Sequence, residues 1–333
     1  MKKILVVGGA GYIGSVVVNQ LVELGYKVTV IDNLSTGFKS FINKKAKFFK
    51  IDINNLKKLK NFFSTNNYDA VFHFAALINI KESAKNPSKY YRVNVDGTDN
   101  LLNCASKKKI KYFIFSSTCA VYGVLANKKV DELNPTIPIS NYAKTKLLSE
   151  VLIKNYAKKF SMKYAILRYF NVIGVDSNLQ SGEVHEGHLL KNITHNINKN
   201  KYSINLFGKN HPTKDGTAIR DYIDVNDLSS IHIMSLRKLA NSKSFILNCG
   251  YNFGYSVLDI IKITENLIKK KIKINILPRI KGDISEIYSN NSKLKSFFPH
   301  WKRKFSIKDS ILNALEWEKS LKLKKITEKS IYK

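Results

Sequence analysis

The sequence predicts an α/β fold in which a doubly wound parallel sheet is followed by a second, smaller lobe. Three observations lead to this fold class. Short apolar runs rich in valine, isoleucine and phenylalanine alternate with helical stretches through the first half of the chain. A glycine-rich turn, GGAGYIG, connects the first apolar run to the first helical stretch. From about residue 172 the alternation loosens into glycine-containing loops, so we expect the boundary of the lobe between residues 171 and 172.

The strands of the sheet are expected at the apolar runs, since buried parallel strands read as nearly continuous β-rich segments. In chain order these runs are KILVV (3–7), KVTVI (27–31), AKFFKI (46–51), DAVFHFA (69–75), KYFIFSS (111–117) and YAILRYF (164–170). Helices are expected near 12–24, 54–63 and 84–107, and after the capping residue Ser140. A later run, SFILNCG (244–250), is expected to return to the sheet. The first domain would then hold 1–171 and part of 220–250, and the second domain the rest of 172–333.

The composition indicates a globular protein of a reducing, aqueous compartment. Hydrophobic residues make up 44% of the 333 residues, enough for a sizeable core. The three cysteines, Cys104, Cys119 and Cys249, show neither a disulfide framework nor a zinc-ligand spacing. The first apolar run, ILVV, is too short for a signal peptide, and no run reaches about 18 apolar residues. We therefore expect a cytoplasmic protein with no membrane partner and no metal.

The net charge of +31 raises the question of a nucleic-acid partner. Only six of the 56 basic residues are arginine, whose planar fork suits bases and phosphates. The lysines are spread through NKKAKFFK, SKKKIK, NKNK and LIKKKIKI instead of forming one basic stripe. We interpret the charge as a solvated lysine surface, able to steer an anionic substrate, and expect no nucleic-acid partner.

The turn after the first strand has the features of a dinucleotide site. Gly8, Gly11 and Gly14 lie between a strand and a helix, where glycine permits a tight turn and close approach of the backbone to a pyrophosphate. The N-terminus of the helix adds a partial positive charge. Asp32 ends the second strand, where a carboxylate accepts hydrogen bonds from the adenosine ribose and repels a 2′-phosphate. Because Asn33 and not an arginine follows, we expect NAD, and not NADP, on a Rossmann-like fold.

A tyrosine and a lysine four residues apart open the helix that Ser140 caps. Tyr142 and Lys146 share a helix face, so the phenol and the ammonium can point into one site. Alone, this spacing fits a half-buried tyrosine beside a solvated lysine better than a catalytic pair. Thr118, however, lies at the carboxyl end of strand 111–117, where doubly wound sheets bind their ligands.

Together, the glycine-rich turn, the strand-end hydroxyl and Y-x-x-x-K resemble the extended short-chain dehydrogenase/reductase superfamily. The resemblance implies that Tyr142 is the general base, and that Lys146 binds the nicotinamide ribose and lowers the pKa of the phenol. Thr118 would share its hydroxyl proton between the substrate oxygen and Tyr142. Free tyrosine ionises at about pH 10, so a base that works near neutrality needs such a cation.

Further segments resemble the UDP-glucose 4-epimerase (UDP-galactose 4-epimerase) family within that superfamily. They are FHFAAL (72–77), NVDGT (94–98), RYFNVIG (168–174), HLL (188–190) and above all LFGKNHPTKDGTAIRDYIDVNDL (206–228). By this resemblance, the residues that bind NAD are Gly8, Gly11, Tyr12, Ile13, Gly14, Asp32, Asn33, Asp52, Ile53, Phe74, Ala75, Ala76, Asn94, Tyr142, Lys146 and Tyr169. The residues that bind the UDP-sugar are Thr118, Asn171, His188, Leu189, Phe207, Arg220, Asp283 and Ile287.

The activity that the resemblance implies is NAD-dependent, reversible epimerisation of UDP-glucose and UDP-galactose at C4, through a transient 4-keto sugar and hydride transfer to and from bound NAD. Cys119 and Ala120 stand where dehydratases and decarboxylases of the superfamily carry a carboxylate, which favours an epimerase. Two alternatives stay open: an epimerase or reductase of another nucleotide sugar, UDP-N-acetylglucosamine included, and a non-catalytic nucleotide-binding scaffold. The resemblance also implies a homodimer that pairs helix 84–107 and the Tyr142 helix with their symmetry mates.

One position departs from the pattern of the family at the diphosphate. In PRIKGD (278–283), Ile280 stands three residues before Asp283, where an arginine is expected. Arg279 and Lys281 are the neighbours that could replace it, although a guanidinium fork depends on its direction.

A second position bears on the choice of sugar. In GDISEIY, Ile287 occupies the position that borders the C2 substituent of the sugar in the family. Isoleucine is shorter than tyrosine but stiff, so we expect N-acetylated UDP-sugars to be accepted as well. The alternative is that Ile287 packs in the core of the lobe and Tyr288 closes the pocket.

Overall fold

A computed structural model describes residues 2–125, 128–185, 187–280 and 283–323 of the protein. Its strands are β1 (Lys3–Val7), β2 (Lys27–Asp32), β3 (Lys47–Lys50), β4 (Ala70–His73), β5 (Tyr112–Thr118), β6 (Lys129–Val130), β7 (Lys163–Tyr169), β8 (Asn171–Ile173), β9 (Ser203–Phe207), β10 (Ile219–Asp224), β11 (Phe245–Cys249), β12 (Gly254–Ser256), β13 (Lys273–Leu277) and β14 (Glu286–Ser289). Its helices are α1 (Tyr12–Glu23), α2 (Leu56–Thr65), α3 (Ile80–Lys85), α4 (Pro87–Tyr91), α5 (Gly97–Lys107), α6 (Asn141–Phe160), α7 (Leu189–Asn198), α8 (Val225–Ala240), α9 (Val257–Ile268), α10 (Ser292–Phe297) and α11 (Ile307–Leu323). Short helical turns lie at Lys39–Phe41 and Cys119–Tyr122, and a π-helical turn at Arg92–Asp96.

A seven-stranded sheet with the order β11-β7-β5-β4-β1-β2-β3 forms the centre of the molecule. All neighbouring strands in it are parallel. The chain builds outward from β1 to β3, and then returns to the other side of β1 with β4. This reversal makes the sheet doubly wound, so the predicted fold class is confirmed.

Different helices cover the two faces of this sheet. Neighbouring side chains of a strand point to opposite faces, and Leu5 and Val6 of β1 accordingly belong to separate cores. The core around Val6 includes residues of α1 and α8, whereas the core around Leu5 includes residues of α2, α5 and α6. The carboxyl ends of the strands therefore meet at one edge, between the two helical layers.

Two smaller sheets lie outside the main sheet. One has the order β12-β10-β14-β6, with β8 paired to β10, and the other is the pair β13-β9. Residues of α7, α9 and α11 pack with these strands in a third core. Between β10 and β12 the chain returns to the large sheet, because β11 pairs with β7 and α8 packs against α1. None of the helices within the described ranges has the length and apolarity that crossing a bilayer demands.

The segment predicted as one helix over 84–107 is divided. α3 ends at Lys85, and Pro87 is the first residue of α4. Proline lacks an amide hydrogen and fits the first helical turn better than a helix interior, so the chain starts a new helix there. From Pro87 the helix continues through the π-helical turn into α5.

Buried polar side chains join one face of α1 to the segment that follows β8. Each bond links the helix behind the glycine-rich turn to residues beyond 172. The bonds run from Tyr12 Oη to the Gly174 carbonyl (2.7 Å), between the hydroxyls of Ser15 and Ser181 (2.9 Å), and from Asn19 Nδ2 to Asp176 Oδ2 (3.0 Å).

Candidate active site

The glycine-rich turn between β1 and α1 is shaped by contacts that leave no room for side chains at Gly8 and Gly14. Gly8 has φ +81°, and a Cβ on it would lie 2.4 Å from the backbone nitrogen of Ala75. A Cβ on Gly14 would lie 2.3 Å from the carbonyl oxygen of Gly8. A Cβ on Gly11 would lie 3.4 Å from its nearest neighbour, the Gly8 carbonyl oxygen. No side chain caps α1. The turn therefore presents its open side and the helix N-terminus to an anion. The residues that open the helix are Tyr12 and Ile13.

Asp32 lies beside this turn at the end of β2. Its carboxylate accepts hydrogen bonds from the amide of Ala10 at 3.0 Å and from the amide of Leu34 at 2.8 Å. Burial raises the pKa of Asp32, and these two hydrogen bonds act in the opposite direction. Asn33 follows it and donates to the Asp52 carboxylate at 3.1 Å. The carboxylate predicted to bind ribose is thus held in one orientation next to the glycine-rich turn.

The residues that follow β4 pass directly next to the same turn. The amides of Phe74 and Ala75 both donate to the carbonyl oxygen of Val7, at 2.8 and 3.1 Å. Because a Cβ on Gly8 would collide with Ala75, the two segments are in backbone contact. Phe74, Ala75 and Ala76 remain partly exposed, as residues that line a ligand must be.

Asn94 holds the end of this segment in place. Its side chain accepts from the amide of Leu77 at 2.8 Å and donates to the Leu77 carbonyl at 3.0 Å. It also donates to the Thr145 hydroxyl of α6 at 3.0 Å. Asn94 therefore supports the site from within, and the structure gives Ile53 a similar place, buried against Gly97.

Thr118, Tyr142 and Lys146, called the catalytic corner below, meet where β5 ends beside the start of α6. The Ser140 hydroxyl accepts a hydrogen bond from the amide of Ala143 at 3.1 Å, which caps α6 as predicted. Tyr142 is partly buried in the first turn. Burial raises the pKa of Tyr142, whereas its hydrogen bond with Thr118 lowers it, and the net shift is upward.

Lys146 lies one turn further along α6 and is 3% exposed. Its ammonium nitrogen lies 4.2 Å from the centroid of the Phe115 ring. Burial lowers the pKa of Lys146 to about 7, and the charge of Glu150 acts in the opposite direction. The alternative of a solvated lysine is therefore wrong, and the ammonium shares a dry environment with the phenol.

Tyr169 and Asn171 lie on either side of the point where the chain leaves the large sheet. Tyr169 ends β7, and its hydroxyl is hydrogen-bonded to Nε2 of His232 on α8. That hydroxyl lies in the interior, so only other parts of Tyr169 can contact a cofactor. Asn171 begins β8, opposite Tyr222 of β10, and is partly exposed.

Arg220, Arg279 and Asp283, called the arginine cluster below, meet in the second lobe. Arg220 Nη2 lies 2.7 Å from Asp283 Oδ1. Arg279 donates from Nη2 to the Asp283 carbonyl at 2.7 Å and to the Ser285 hydroxyl at 3.0 Å. Arg279 thus contacts the segment that carries Asp283, and its replacement of the arginine missing at Ile280 stays a prediction. The other neighbour considered from the sequence, Lys281, lies outside the described residues.

Two residues next to the predicted substrate-binding residues were not identified from the sequence. They are His211, beside Asp283, and Lys81, beside Phe207. His211 is 4% exposed, with Nδ1 3.2 Å from the Ser285 hydroxyl and Nε2 3.9 Å from Asp283 Oδ2. Its position within 206–228, the segment with the most specific resemblance, could have drawn attention to it. The Lys81 ammonium on α3 lies 5.0 Å from the ring centroid of Phe207, which is 41% exposed. No sequence signal separates Lys81 from the other lysines.

His188 and Leu189 lie at the start of α7. They line one cavity together with Asn171 and Tyr12. His188 is exposed, and its Nε2 lies 3.6 Å from Glu183 Oε2. Three residues predicted to bind substrate are thus brought together with one predicted to bind the cofactor.

Ile287 is more deeply buried than a residue that lines an open pocket. It is 4% exposed and belongs to a small core with Val121, Tyr122 and Phe170, against which Cys119 packs. In β14 it stands opposite Arg220 of β10. Because neighbours on a strand face opposite sides, Tyr288 points away from this core. The core packing that was the alternative from the sequence is therefore present, and contact of Ile287 with substrate stays a prediction.

Comparisons with known proteins identify the family and the fold of the chain. The family model described as NAD dependent epimerase/dehydratase family matches residues 4–250. The UDP-glucose 4-epimerase of Lactobacillus helveticus is 38% identical over 322 residues, covering 96% of this chain and 97% of the relative. The solved structure of UDP-glucose-4-epimerase from Stenotrophomonas maltophila with bound NAD and formylated UDP-arabinopyranose has a TM-score of 0.92 at 30% identity, covering 97% of this chain and all of that one (100%). The UDP-Glc/GlcNAc 4-epimerase from Campylobacter jejuni has a TM-score of 0.83 at 36% identity, covering 96% and 100%.

Proposed function

The chain belongs to the NAD dependent epimerase/dehydratase family, and we propose from this premise that it interconverts UDP-glucose and UDP-galactose by epimerisation at C4. The observation that carries the proposal is the catalytic corner, in which a strand-end hydroxyl, a phenol and a buried ammonium meet. The 4-epimerases from Lactobacillus helveticus and Stenotrophomonas maltophila, similar along nearly the whole chain, support the same activity. The protein is an NAD-dependent epimerase.

The residues around the glycine-rich turn fit NAD. Side chains are excluded at Gly8 and Gly14, whereas the turn is open at Gly11. A fixed carboxylate, Asp32, is available for the ribose, and Asn33 supplies no charge for a 2′-phosphate. When bound, NAD would supply a hydride acceptor and, once reduced, a hydride donor for C4 of the sugar. The residues that would hold NAD are Gly8, Gly11, Tyr12, Ile13, Gly14, Asp32, Asn33, Asp52, Ile53, Phe74, Ala75, Ala76, Asn94, Tyr142, Lys146 and Tyr169.

In this mechanism Tyr142 carries the proton of the C4 hydroxyl. Thr118, hydrogen-bonded to the phenol, can bridge it to the substrate oxygen. The ammonium of Lys146 favours the ionised phenol in a dry site, where electrostatic effects are strong. The residues after Thr118, Cys119 and Ala120, provide no second acid. One proton carrier suffices, because epimerisation removes and returns a single proton.

The predicted substrate-binding residues suit a nucleoside diphosphate. The guanidinium groups of Arg220 and Arg279 provide the positive charge that a diphosphate needs, and Asp283 orients them. Phe207 is exposed enough for an aromatic base to stack on it. Asn171, His188 and Leu189 line one cavity with Tyr12.

The test of this function is incubation of the purified protein with UDP-galactose. We expect UDP-glucose to form without net consumption of NAD, because the cofactor is restored in each cycle. Release of NADH into solution would instead indicate a reductase or dehydrogenase of a nucleotide sugar. A purified protein with neither bound NAD nor turnover would support the non-catalytic scaffold.

We extend the proposal to the N-acetylated pair of UDP-sugars. The small core that contains Ile287 is packed against Cys119, the neighbour of Thr118, so the size of residue 287 affects the space beside the catalytic corner. The Campylobacter jejuni relative named for both UDP-Glc and GlcNAc supports a dual range.

This extension predicts the effect of Ile287→Tyr. The larger ring should reduce the rate on UDP-N-acetylglucosamine relative to UDP-glucose by about tenfold or more, since a pocket discriminates through steric fit. Both activities are measured on wild type and variant, with Tyr288→Phe as the neighbouring control. A wild type that leaves the N-acetylated sugar unchanged would remove the proposed role of Ile287.

We also propose a homodimer formed by α5 and α6, in the cytoplasm, where the free thiols of Cys104, Cys119 and Cys249 stay reduced. Leu148 and Val151 on α6 are 42% and 43% exposed and lie three residues apart on one face. Burying such side chains against a second copy is favourable. Light scattering at micromolar concentration should give about twice the 38.0 kDa of one chain. A Leu148→Asp/Val151→Asp variant should give the mass of one chain, and a monomeric wild type would refute the dimer.

A further inference from the structure

The helix of the catalytic corner also carries a buried carboxylate, one turn after Lys146. Glu150 lies four residues after Lys146 and is completely buried, at 0% exposure. Residues four apart on a helix are neighbours, with Cβ atoms about 6 Å apart. The mechanism above does not use Glu150, although a buried carboxylate so close to the ammonium must act on it.

Glu150 is fixed by Arg168 of β7. The Arg168 Nε atom donates to Glu150 Oε1 at 3.0 Å, and its Nη2 atom donates to Oε2 at 2.7 Å. The Ser117 hydroxyl, next to Thr118 on β5, also donates to Oε1 at 2.5 Å. Arg168 is 3% exposed and makes a further hydrogen bond to Tyr122 Oη at 3.0 Å. This is a bidentate, buried ion pair in a geometry that holds both charges in place.

Lys146, by contrast, takes part in no ion pair within the described part of the chain. The groups that interact with it are the Phe115 ring of β5, His73 of β4 and Glu150 of its own helix. Tyr142 lies one turn before it on the same helix face. Burial, followed by the charge of Lys146, lowers the pKa of His73 to about 3, so this imidazole is neutral. The Glu150 charge therefore opposes the burial of the ammonium, and Arg168 on β7 is the cation that balances Glu150.

We propose that the buried Glu150–Arg168 pair sets the charge of the catalytic ammonium, with Glu150 keeping Lys146 protonated and Arg168 limiting that effect. Both are positioning residues, because they act on the reaction through Lys146. The inference rests on the proposed function, in which Lys146 must be charged to favour the ionised phenol. Its distinctive consequence is that the two halves of one ion pair have opposite effects on the same lysine.

Two variants separate this electrostatic role from a structural one. Glu150→Gln and Arg168→Met break the same buried pair, so loss of support alone would affect both in the same way. Removing the carboxylate leaves Lys146 with a nearby cation, and it then loses its proton at lower pH. Removing the guanidinium leaves Glu150 with Ser117 as donor and Lys146 as its nearest cation, so Lys146 keeps its proton to higher pH.

The main measurement is the pH profile of kcat for UDP-galactose epimerisation between about pH 5 and 10. Because the protonated lysine is the active form, its deprotonation gives the basic limb of the profile. We expect Glu150→Gln to move this limb down by about one pH unit or more, and Arg168→Met to move it up by a smaller amount. Movement of both limbs in the same direction, or of neither, overturns the proposal.

A second measurement, the free energy of unfolding in urea, does not depend on activity. The pKa of Lys146 is about 7 in the folded protein and 10.5 as an unperturbed lysine. Between these values the unfolded chain binds the extra proton, so stability contributed by this group rises with pH. The rise should begin at lower pH in Glu150→Gln than in Arg168→Met. An identical onset in the two variants counts against the proposal.

Two further variants serve as controls. Glu318→Gln breaks a second buried pair, with Lys191 at 2.5 Å, and should lower stability without moving the basic limb.

If the single variants do not fold, Glu150→Gln/Arg168→Met contains neither charge and avoids the unpaired ion. Its limb should lie below that of wild type by about one unit or less, because the charge of Glu150 acts on the pKa of Lys146, and an unmoved limb rejects the inference. A wild type without epimerase activity defeats the proposed function instead, and the urea curves still test the charge of Lys146.

Discussion

The catalytic corner and the arginine cluster use charged groups in different surroundings. In the catalytic corner the Lys146 ammonium is 3% exposed, and burial lowers its pKa to about 7. In the arginine cluster, the side chains of Arg220 and Asp283 are 15% and 30% exposed, and they form a direct ion pair. A dry charge can change the protonation of its neighbour, whereas a solvated ion pair mainly attracts and orients a ligand. Changes in the corner should therefore affect turnover, and changes in the cluster should affect binding.

The strongest test of this contrast is Tyr142→Phe. In the proposed mechanism the Tyr142 phenol carries the proton, and general acid–base catalysis contributes about 10² to 10⁴ in rate. We expect kcat to fall by that range while KM and the amount of NAD that copurifies stay close to wild type. Near-wild-type turnover of the variant would show that the Tyr142 phenol is not the catalytic group.

Arg220→Ala tests the other region. A charged hydrogen bond contributes about 1.5–3 kcal/mol, so loss of the guanidinium should raise KM for UDP-galactose about 10- to 100-fold. kcat should change far less, since the proposed reaction takes place at the catalytic corner. Steady-state kinetics decide the point: a variant with unchanged KM and reduced kcat would reverse the assigned roles of the two regions.

Arg279→Ala should give the smallest effect. Its side chain is exposed, and exposed ion pairs contribute about 0–1 kcal/mol, so KM should rise up to about fivefold and less at high salt. Arg237→Ala, the same change at an exposed arginine of α8, is the matched control and should leave KM unchanged. A KM at the wild-type value for Arg279→Ala would mean that Arg279 does not compensate for Ile280.

The two regions also differ in how well the sequence predicted them. Tyr142 and Lys146 were found because a helix turns their fixed spacing into a shared face, and Gly8, Gly14 and Asp32 because one strand–turn–helix unit places them. Glu150 and Arg168 lie 18 residues apart in the chain, and their contact exists only because β7 packs beside α6. His211, Lys81 and Arg279 likewise depend on how separate loops meet. Local spacing was predictable, and contacts made by tertiary packing were not.

The fold shows the same division. The apolar runs located the strands of the large sheet, since burial on both faces leaves a continuous hydrophobic signal. The helix predicted over 84–107 was placed correctly beyond Pro87, and the break before it was missed although the proline is visible in the sequence. The pairing of β11 with β7 was expected from SFILNCG, whereas the small sheets built from β6, β8, β12 and β14 are too short to show a pattern.

The polar bonds between α1 and the segment after β8 have a consequence for the motion of the molecule. Separating α1 from the segment after β8 would break the bonds of Tyr12, Ser15 and Asn19 together, and each such hydrogen bond contributes about 0.5–1.5 kcal/mol net. The frame around the cofactor is therefore stiff on this side. A bound nicotinamide cofactor would then be held in one orientation, so the proposed exchange of the sugar's two faces would require the sugar to turn while its nucleotide stays bound.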